Sequence, residues 1–144
     1  MKCLIDSNIW LDIALKREGF FEDSYGAVAI CIAEGHQMLT AATSLKDIFY
    51  IVAKLQSTAA AYEAVRLVLG LSSIAATDQT VCTDALDLEQ PDYEDGIIAA
   101  SALAEKADAI ITRDTRGFAK LPLMRLTPAD FRKAQGWDRL ALDD

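Results

Sequence analysis

Five short apolar, β-compatible runs alternate with helix-patterned segments, and no other feature of the sequence restricts the fold as much. The runs are "KCLID" at residues 2 to 6, "QMLTA" at 37 to 41, "SSIAA" at 72 to 76, "DAIIT" at 108 to 112 and "LMRL" at 123 to 126. Between the first two, "SNIWLDIALK" carries apolar residues at helical spacing, and "EDSYGAVAICIAEG" reads as a second helix ending at Gly35. "SLKDIFYIVAKLQ" is amphipathic, with Ile48, Ile51, Val52 and Leu55 on one side, and "TAAAYEAVRLVLG" closes at Gly70. "QTVCTDALDL" leads to a break at Pro91, "DYEDGIIAASALAEKA" is strongly helical, and "TPADFRKAQ" offers Thr127 as cap with Pro128 at its first position. Such alternation builds a parallel sheet covered by helices on both faces.

The 144 residues contain no repeat, low-complexity tract or linker, so one domain over residues 1–144 is expected, large enough to bury roughly two-thirds of its unfolded surface. No apolar run approaches the roughly 18 to 20 residues of a membrane helix, and the first strand begins at once rather than after a leader pattern. The expectation is a cytoplasmic protein. Cys3, Cys31 and Cys82 are odd in number, far apart and flanked by apolar residues, which predicts buried reduced thiols and neither a disulfide framework nor a zinc site.

A formal charge of −8 argues at first against nucleic acid, but the charge is unevenly spread. Asp78, Asp84, Asp87, Glu89, Asp92, Glu94 and Asp95 form a stretch without Lys or Arg, whereas residues 113 to 139 hold half of the 14 basic residues. Four acids are placed by the strand pattern. Asp6 ends the first strand, Asp114 follows "IIT" by one residue, Asp95 lies in the first turn of the helix before that strand, and Asp47 in the first turn of the helix after "QMLTA". In open parallel sheets ligands bind at the carboxyl ends of the strands, where these four acids would converge.

Each acid also has a purely structural reading. Ser44 to Asp47 and Asp92 to Asp95 resemble capping boxes, Asp6 suits an N-cap and Asp114 a turn. Convergence is what separates the readings, because independent caps need not fall at one end of a sheet. Carboxylates about 4 Å apart repel by roughly 1 to 4 kcal/mol, and a divalent cation between them removes that cost.

"LIDSNIWLDIAL", "TSLKDIFYIVAK", "DYEDGIIAASALAEKADAIITRDTRGF" and "LTPADF" together resemble a PIN domain, the ribonuclease fold used by VapC-type toxins of bacterial toxin–antitoxin pairs. The resemblance covers nearly the whole chain. It implies a three-layer α/β/α fold with a central, mostly parallel sheet of four or five strands. It also implies an Mg²⁺- or Mn²⁺-dependent endoribonuclease, with Asp6, Asp95 and Asp114 as metal ligands and Asp47 as a fourth catalytic acid. Asn8 and Thr112 match small polar positions of the pocket. Lys46, Arg113 and Arg116 flank the acids and are candidates to hold RNA phosphates. Two departures stand out. The family's second acid is usually Glu, a methylene longer than Asp47, with Glu94 and Asp92 nearby as substitutes, and Gly117 stands where many relatives carry an Asp.

Other chemistries fail on inventory. The single His36, set beside Gly35 just before a strand, leaves a Ser-His-Asp triad or a histidine metal site almost without support, and no phosphate-cradling glycine loop occurs among the seven glycines. A haloacid-dehalogenase-like phosphatase wants a second Asp where Asn8 stands. The alternative of a different class is a PIN-like module that binds RNA or a partner with little or no catalysis. The resemblance also implies a cognate antitoxin wrapped around Trp10, Phe20, Phe21 and Tyr50, and a homodimer through residues 43 to 70; ordinary core burial is the competing reading for the aromatics, more so for Tyr50 than for Phe20 or Phe21.

Overall fold

Each apolar run forms a strand, and the order of those strands creates the crevice. The computed structural model describes residues 1 to 137, so Arg139 lies outside the described residues. Its elements are β1 (Lys2–Ile5), α1 (Ser7–Ala14), α2 (Phe21–Glu34), β2 (Gln37–Ala41), α3 (Ala42–Leu55), α4 (Thr58–Leu71) and β3 (Ser73–Ala75). There follow α5 (Gln79–Asp84), a 3₁₀ turn (Ala85–Asp87), α6 (Tyr93–Ala104), β4 (Ala109–Ile111), β5 (Met124–Leu126) and α7 (Pro128–Ala134). The sheet has five strands in the order β3-β2-β1-β4-β5, every pair parallel.

The chain adds β2 and β3 on one side of β1, then returns to add β4 and β5 on the other. The order therefore reverses between β1 and β4, and the carboxyl ends of those two strands flank the crevice. Side-chain alternation sorts the layers. Cys3, Ile5 and Ile111 face a core built with Ile9, Trp10, Ile30, Ile48, Val52, Val68 and Phe131, so α1 to α4 and α7 cover one face. Leu4 and Ile110 point the other way, against Ile98, Ala102 and Phe118, and α5 packs on α6 outside them. The result is the three-layer α/β/α arrangement with an entirely parallel sheet.

Several local expectations shift. Helix α3 starts at Ala42, directly from β2, with no side-chain cap, so the capping box at Ser44 does not form: Ser44 is buried within the first turn and its hydroxyl has no hydrogen-bond partner. Asp47 consequently stands in the second turn. Asp92 does cap α6, accepting from the Asp95 amide at 2.8 Å, and Thr127 caps α7 with Pro128 at its first position. Cys3 and Cys31 are fully buried, whereas Cys82 is only half-buried. Trp10 is core, 1% exposed with its indole N–H donating to Thr40, and Tyr50 is 63% exposed, the reverse of its expected burial. No helix among the described residues is long and apolar enough to cross a membrane.

The seat of α6 is a close backbone approach. A Cβ on Gly96 would lie 2.9 Å from the Ala85 carbonyl oxygen. Replacing a helical Gly by Ala ordinarily stabilises by up to about 1 kcal/mol, but overpacking against backbone costs about 1–3 kcal/mol, so the steric effect wins. Gly96→Ala is expected to lower unfolding free energy by about 1 kcal/mol or more in urea denaturation, with an unchanged m-value; equal or higher stability would show that α6 does not rest on the 3₁₀ turn.

Candidate active site

Asp6 is the first residue past β1 and the N-cap of α1, so strand and helix together leave its side chain little freedom. It is 7% exposed. Its amide donates to the Ile111 carbonyl, continuing the β1–β4 ladder, while Oδ1 accepts from the Ser7 amide at 2.8 Å. Oδ2 accepts from the Thr112 hydroxyl at 2.7 Å and from the Asn8 side-chain amide at 3.4 Å. Burial pushes the Asp6 carboxyl above its ordinary range, the Thr112 and Ser7 hydrogen bonds pull it back, and the charges of Asp114 and Asp47 raise it further.

Thr112, the first residue past β4, links two acids. Its fully buried hydroxyl donates to Asp6 and accepts from the Asp114 amide at 2.9 Å. Asp114 then closes its own turn, Oδ1 accepting from the amides of Arg116 at 2.8 Å and Gly117 at 3.1 Å. Gly117 explains a departure noted in the sequence. A Cβ there would stand 2.6 Å from Asp114 Oδ2 and 3.2 Å from Asp95 Oδ2, so the two carboxylates occupy the space a side chain needs. The next residue anchors the turn: Phe118 adopts φ +66, a strained conformation for a non-glycine, yet is 1% exposed, and its amide donates to Gln90 Oε1 at 2.6 Å.

Asp95 enters from the first turn of α6. Its carboxyl is pushed up to about 6, first by burial and then by the negative charges of Asp92, Asp114 and Asp6. Glu94, beside it, is pushed up to about 7, chiefly by a hydrogen bond with the Asp47 carboxyl, then by burial and the charges of Asp47, Asp92 and Asp95. Asp47 of α3 thus reaches Glu94 of α6 across the crevice, and Asp6, Asp47, Asp95 and Asp114 belong to one electrostatic cluster that Glu94 joins.

The expected substrate contacts are placed differently from one another. Lys46 and Arg116 are exposed beside Asp47 and Asp114. Asn8 and Thr112 are turned onto Asp6. Arg113 is turned away from the crevice: its guanidinium grips Asp12 with Nε at 2.7 Å and Nη2 at 2.9 Å, and lies over the Phe20 ring at 3.9 Å. Asp12 and Gln90 were not among the expected site residues. The signal for Asp12 was a lone acid inside the apolar helical run "IWLDIAL"; Gln90 left none, because its partner Phe118 lies 28 residues away.

Among the described residues, no group of three or more His, Cys, Asp or Glu side chains already has its donors gathered around one point that would take a metal ion. Asp6 uses both oxygens on neighbouring donors, and Asp114 one of its two. The donor chemistry nevertheless fits a hard divalent cation: the set is carboxylate oxygen throughout, and His36 is engaged elsewhere, with the N-terminal amine and Gln135.

Comparison with solved structures agrees with the fold. VapBC2 from Rickettsia felis, bound to a DNA fragment from its promoter, superposes with a TM-score of 0.70 at 18% identity, covering 88% of this chain and 98% of that one. VapBC-1 from nontypeable Haemophilus influenzae gives 0.69 at 14% identity, covering 90% and 99%. VapC20 of Mycobacterium tuberculosis, described as a sarcin–ricin loop cleaving toxin, gives 0.66 at 10% identity, covering 78% and 90%. No curated protein matches. The profile described as "PIN domain" matches residues 2–116, spanning β1 through the Asp114 turn, and the chain therefore belongs to the PIN domain family.

Proposed function

We propose that this chain is a divalent-cation-dependent endoribonuclease, the toxin of a type II toxin–antitoxin pair, with residues 1–144 acting as one domain. The observation that carries the reading is the convergence of Asp6, Asp47, Asp95 and Asp114 from four separate segments, at the point where the strand order reverses. Asp6, Asp95 and Asp114 would hold Mg²⁺ or Mn²⁺, and Asp47, paired with Glu94, would act as the fourth acid. Bound there, such a cation offsets the charge of the scissile phosphate and acidifies water for in-line attack. The protein's own part is to keep Asp6 rigid through Thr112 and Asn8, and to offer the exposed Lys46 and Arg116 to RNA phosphates. VapC20, named as a sarcin–ricin loop cleaving toxin, supports this chemistry by likeness of fold.

The VapBC neighbours support an antitoxin as partner. Phe20, 45% exposed, remains available to it, whereas Trp10 does not. Exposed Tyr50, Leu55, Tyr62 and Leu69 on α3 and α4 support a homodimer through residues 43 to 70. The second reading, a PIN-like module that binds RNA or a partner without cleaving, draws on Glu94: a carboxyl pushed up to about 7 is partly protonated near neutral pH and offers less negative charge to a cation.

Calorimetry with Mn²⁺ separates the two. The wild type is expected to bind, and Asp6→Asn and Asp95→Asn, checked for folding by circular dichroism, to lose affinity by more than about tenfold, since even outer partners of a metal contribute roughly that much. A folded wild type that binds no Mn²⁺, or variants that bind equally well, favours the binding module.

The same carboxyls set a pH dependence. Asp95 and Glu94 have folded pKa values of about 6 and 7, above their ordinary values near 4 to 4.5, so the native state binds protons more tightly than the unfolded chain. Their stabilising contribution is complete below about pH 4 and is lost as pH rises through 6 to 7. Metal-free protein is expected to have a higher Tm at pH 5 than at pH 8, and Mn²⁺ to raise Tm more at pH 8, where it no longer competes with protons. A flat Tm across this range, in differential scanning calorimetry, would contradict the clustered geometry.

Gly117→Ala tests the close approach directly. Its methyl would displace the Asp114 and Asp95 carboxylates, so Mn²⁺ affinity is expected to fall severalfold while the circular dichroism spectrum is retained. Unchanged affinity would mean that these two carboxylates do not hold the ion together.

A further inference from the structure

We propose that Asp12 and Arg113 form a positioning pair that fixes the Thr112–Asp114 segment against α1, and so sets the spacing of the Asp6 and Asp114 carboxylates. The pair serves the acid cluster from behind. The inference rests on reading that cluster as a cation site, and it assigns to Arg113 a role other than contact with RNA.

Consecutive residues after β4 are tied to α1, one position at a time. The Thr112 hydroxyl donates to Asp6, the N-cap of α1. The Arg113 amide donates to Asn8 Oδ1 at 3.3 Å, and the Arg113 guanidinium donates twice to Asp12, one helical turn beyond Asn8. Asp114 follows, its amide held by Thr112. Asp6 at the cap of α1 and Asn8 and Asp12 within it are thus contacted by residues 112 and 113, and the guanidinium is the far anchor.

The anchor is built for rigidity. Asp12 is 0% exposed, so its charge must be compensated: besides Arg113 it accepts from the Ser24 hydroxyl at 2.7 Å and pairs with Arg17 at 3.5 Å. Two parallel N–H bonds fix the plane of the guanidinium, and the Phe20 ring covers one face at 3.9 Å. The Nε–Nη2 edge of the fork, one of the two that could grip a phosphate in two-point fashion, is occupied by Asp12. A lysine at position 113 would supply charge without the fork.

The test uses Asp12→Asn, Arg113→Gln and the double variant, with Val68→Ala as a core variant remote from the site. Hydrogen exchange of the metal-free proteins, resolved by residue, is expected to speed up at least about tenfold at the amides of Arg113, Asp114 and Gly117 in all three variants, beyond any change elsewhere. In Val68→Ala these amides should follow global stability only. Mn²⁺ affinity is expected to fall by a similar factor in each single variant, with no further fall in the double, because either change releases the same segment. RNA binding without metal should keep its salt dependence. Unaltered exchange at those amides overturns the proposal. So does a salt slope smaller by about 0.7 in Arg113→Gln but not in Asp12→Asn, the mark of a lost phosphate contact. Should the wild type bind no Mn²⁺, the cation reading falls, while the exchange rates still decide whether the pair positions the segment. If Asp12→Asn fails to fold, the double variant, which leaves no unpaired buried charge, carries the same measurement.

Discussion

A carboxylate held out of water at the junction of a strand and a helix is the constraint on which this structure turns. Asp6 stays buried because three donors, the Ser7 amide, the Thr112 hydroxyl and the Asn8 amide, compensate its charge. Each donor has a second function: Ser7 begins α1, Thr112 carries the amide of Asp114, and Asn8 receives that of Arg113. The position of Asp6 against Thr112 is therefore inherited from the β1–β4 pairing, and the turn that carries Asp114 is fastened to it. Hydrogen bonding opposes the penalty of burial without cancelling it, and the remaining imbalance is the raised affinity of Asp6 for a proton.

Capping and site-building use the same atoms. Asp6 is at once an N-cap and a member of the cluster, and Asp114 ties a turn while facing Asp95. A choice between cap and functional acid was thus a false opposition at these positions, since one oxygen of each carboxylate fixes the backbone and leaves the other directed elsewhere. Asp92 shows the limit of that economy: its oxygen holds the Asp95 amide, and its charge reaches the cluster only as repulsion.

The strands and their order of appearance were legible because each is a short apolar run bounded by a polar or small residue; Asp6 and Asp114 were legible as acids just past such runs, and Asp95 as an acid in the first turn of a strongly helical segment. The start of α3 was not. Ser44 with Asp47 three residues on has the form of a capping box, but β2 feeds the helix at Ala42 without a loop, so backbone continuity overrode the local signal. Tyr50 was misjudged because a helix pattern does not say how wide the buried face is. The Asp12–Arg113 and Gln90–Phe118 contacts span 101 and 28 residues, and no local pattern encodes such pairings.

Charge balance explains why the hidden pair matters. Asp6, Asp47, Glu94, Asp95 and Asp114 repel one another across the crevice, and repulsion between like charges acts to splay the segments that carry them. Splaying is resisted on the β4 side by forces that do not involve the crevice: the Asp12–Arg113 fork behind Thr112, the Gln90 amide and the buried Phe118 ring beyond Gly117, and Arg125 Nη1 on the carbonyls of Thr115 and Gly117. An acid cluster of this kind is stable only if its members are fastened from outside. Fastening of that sort keeps the carboxylates near one another by packing and hydrogen bonds, although among the described residues their donors are not gathered around a single point.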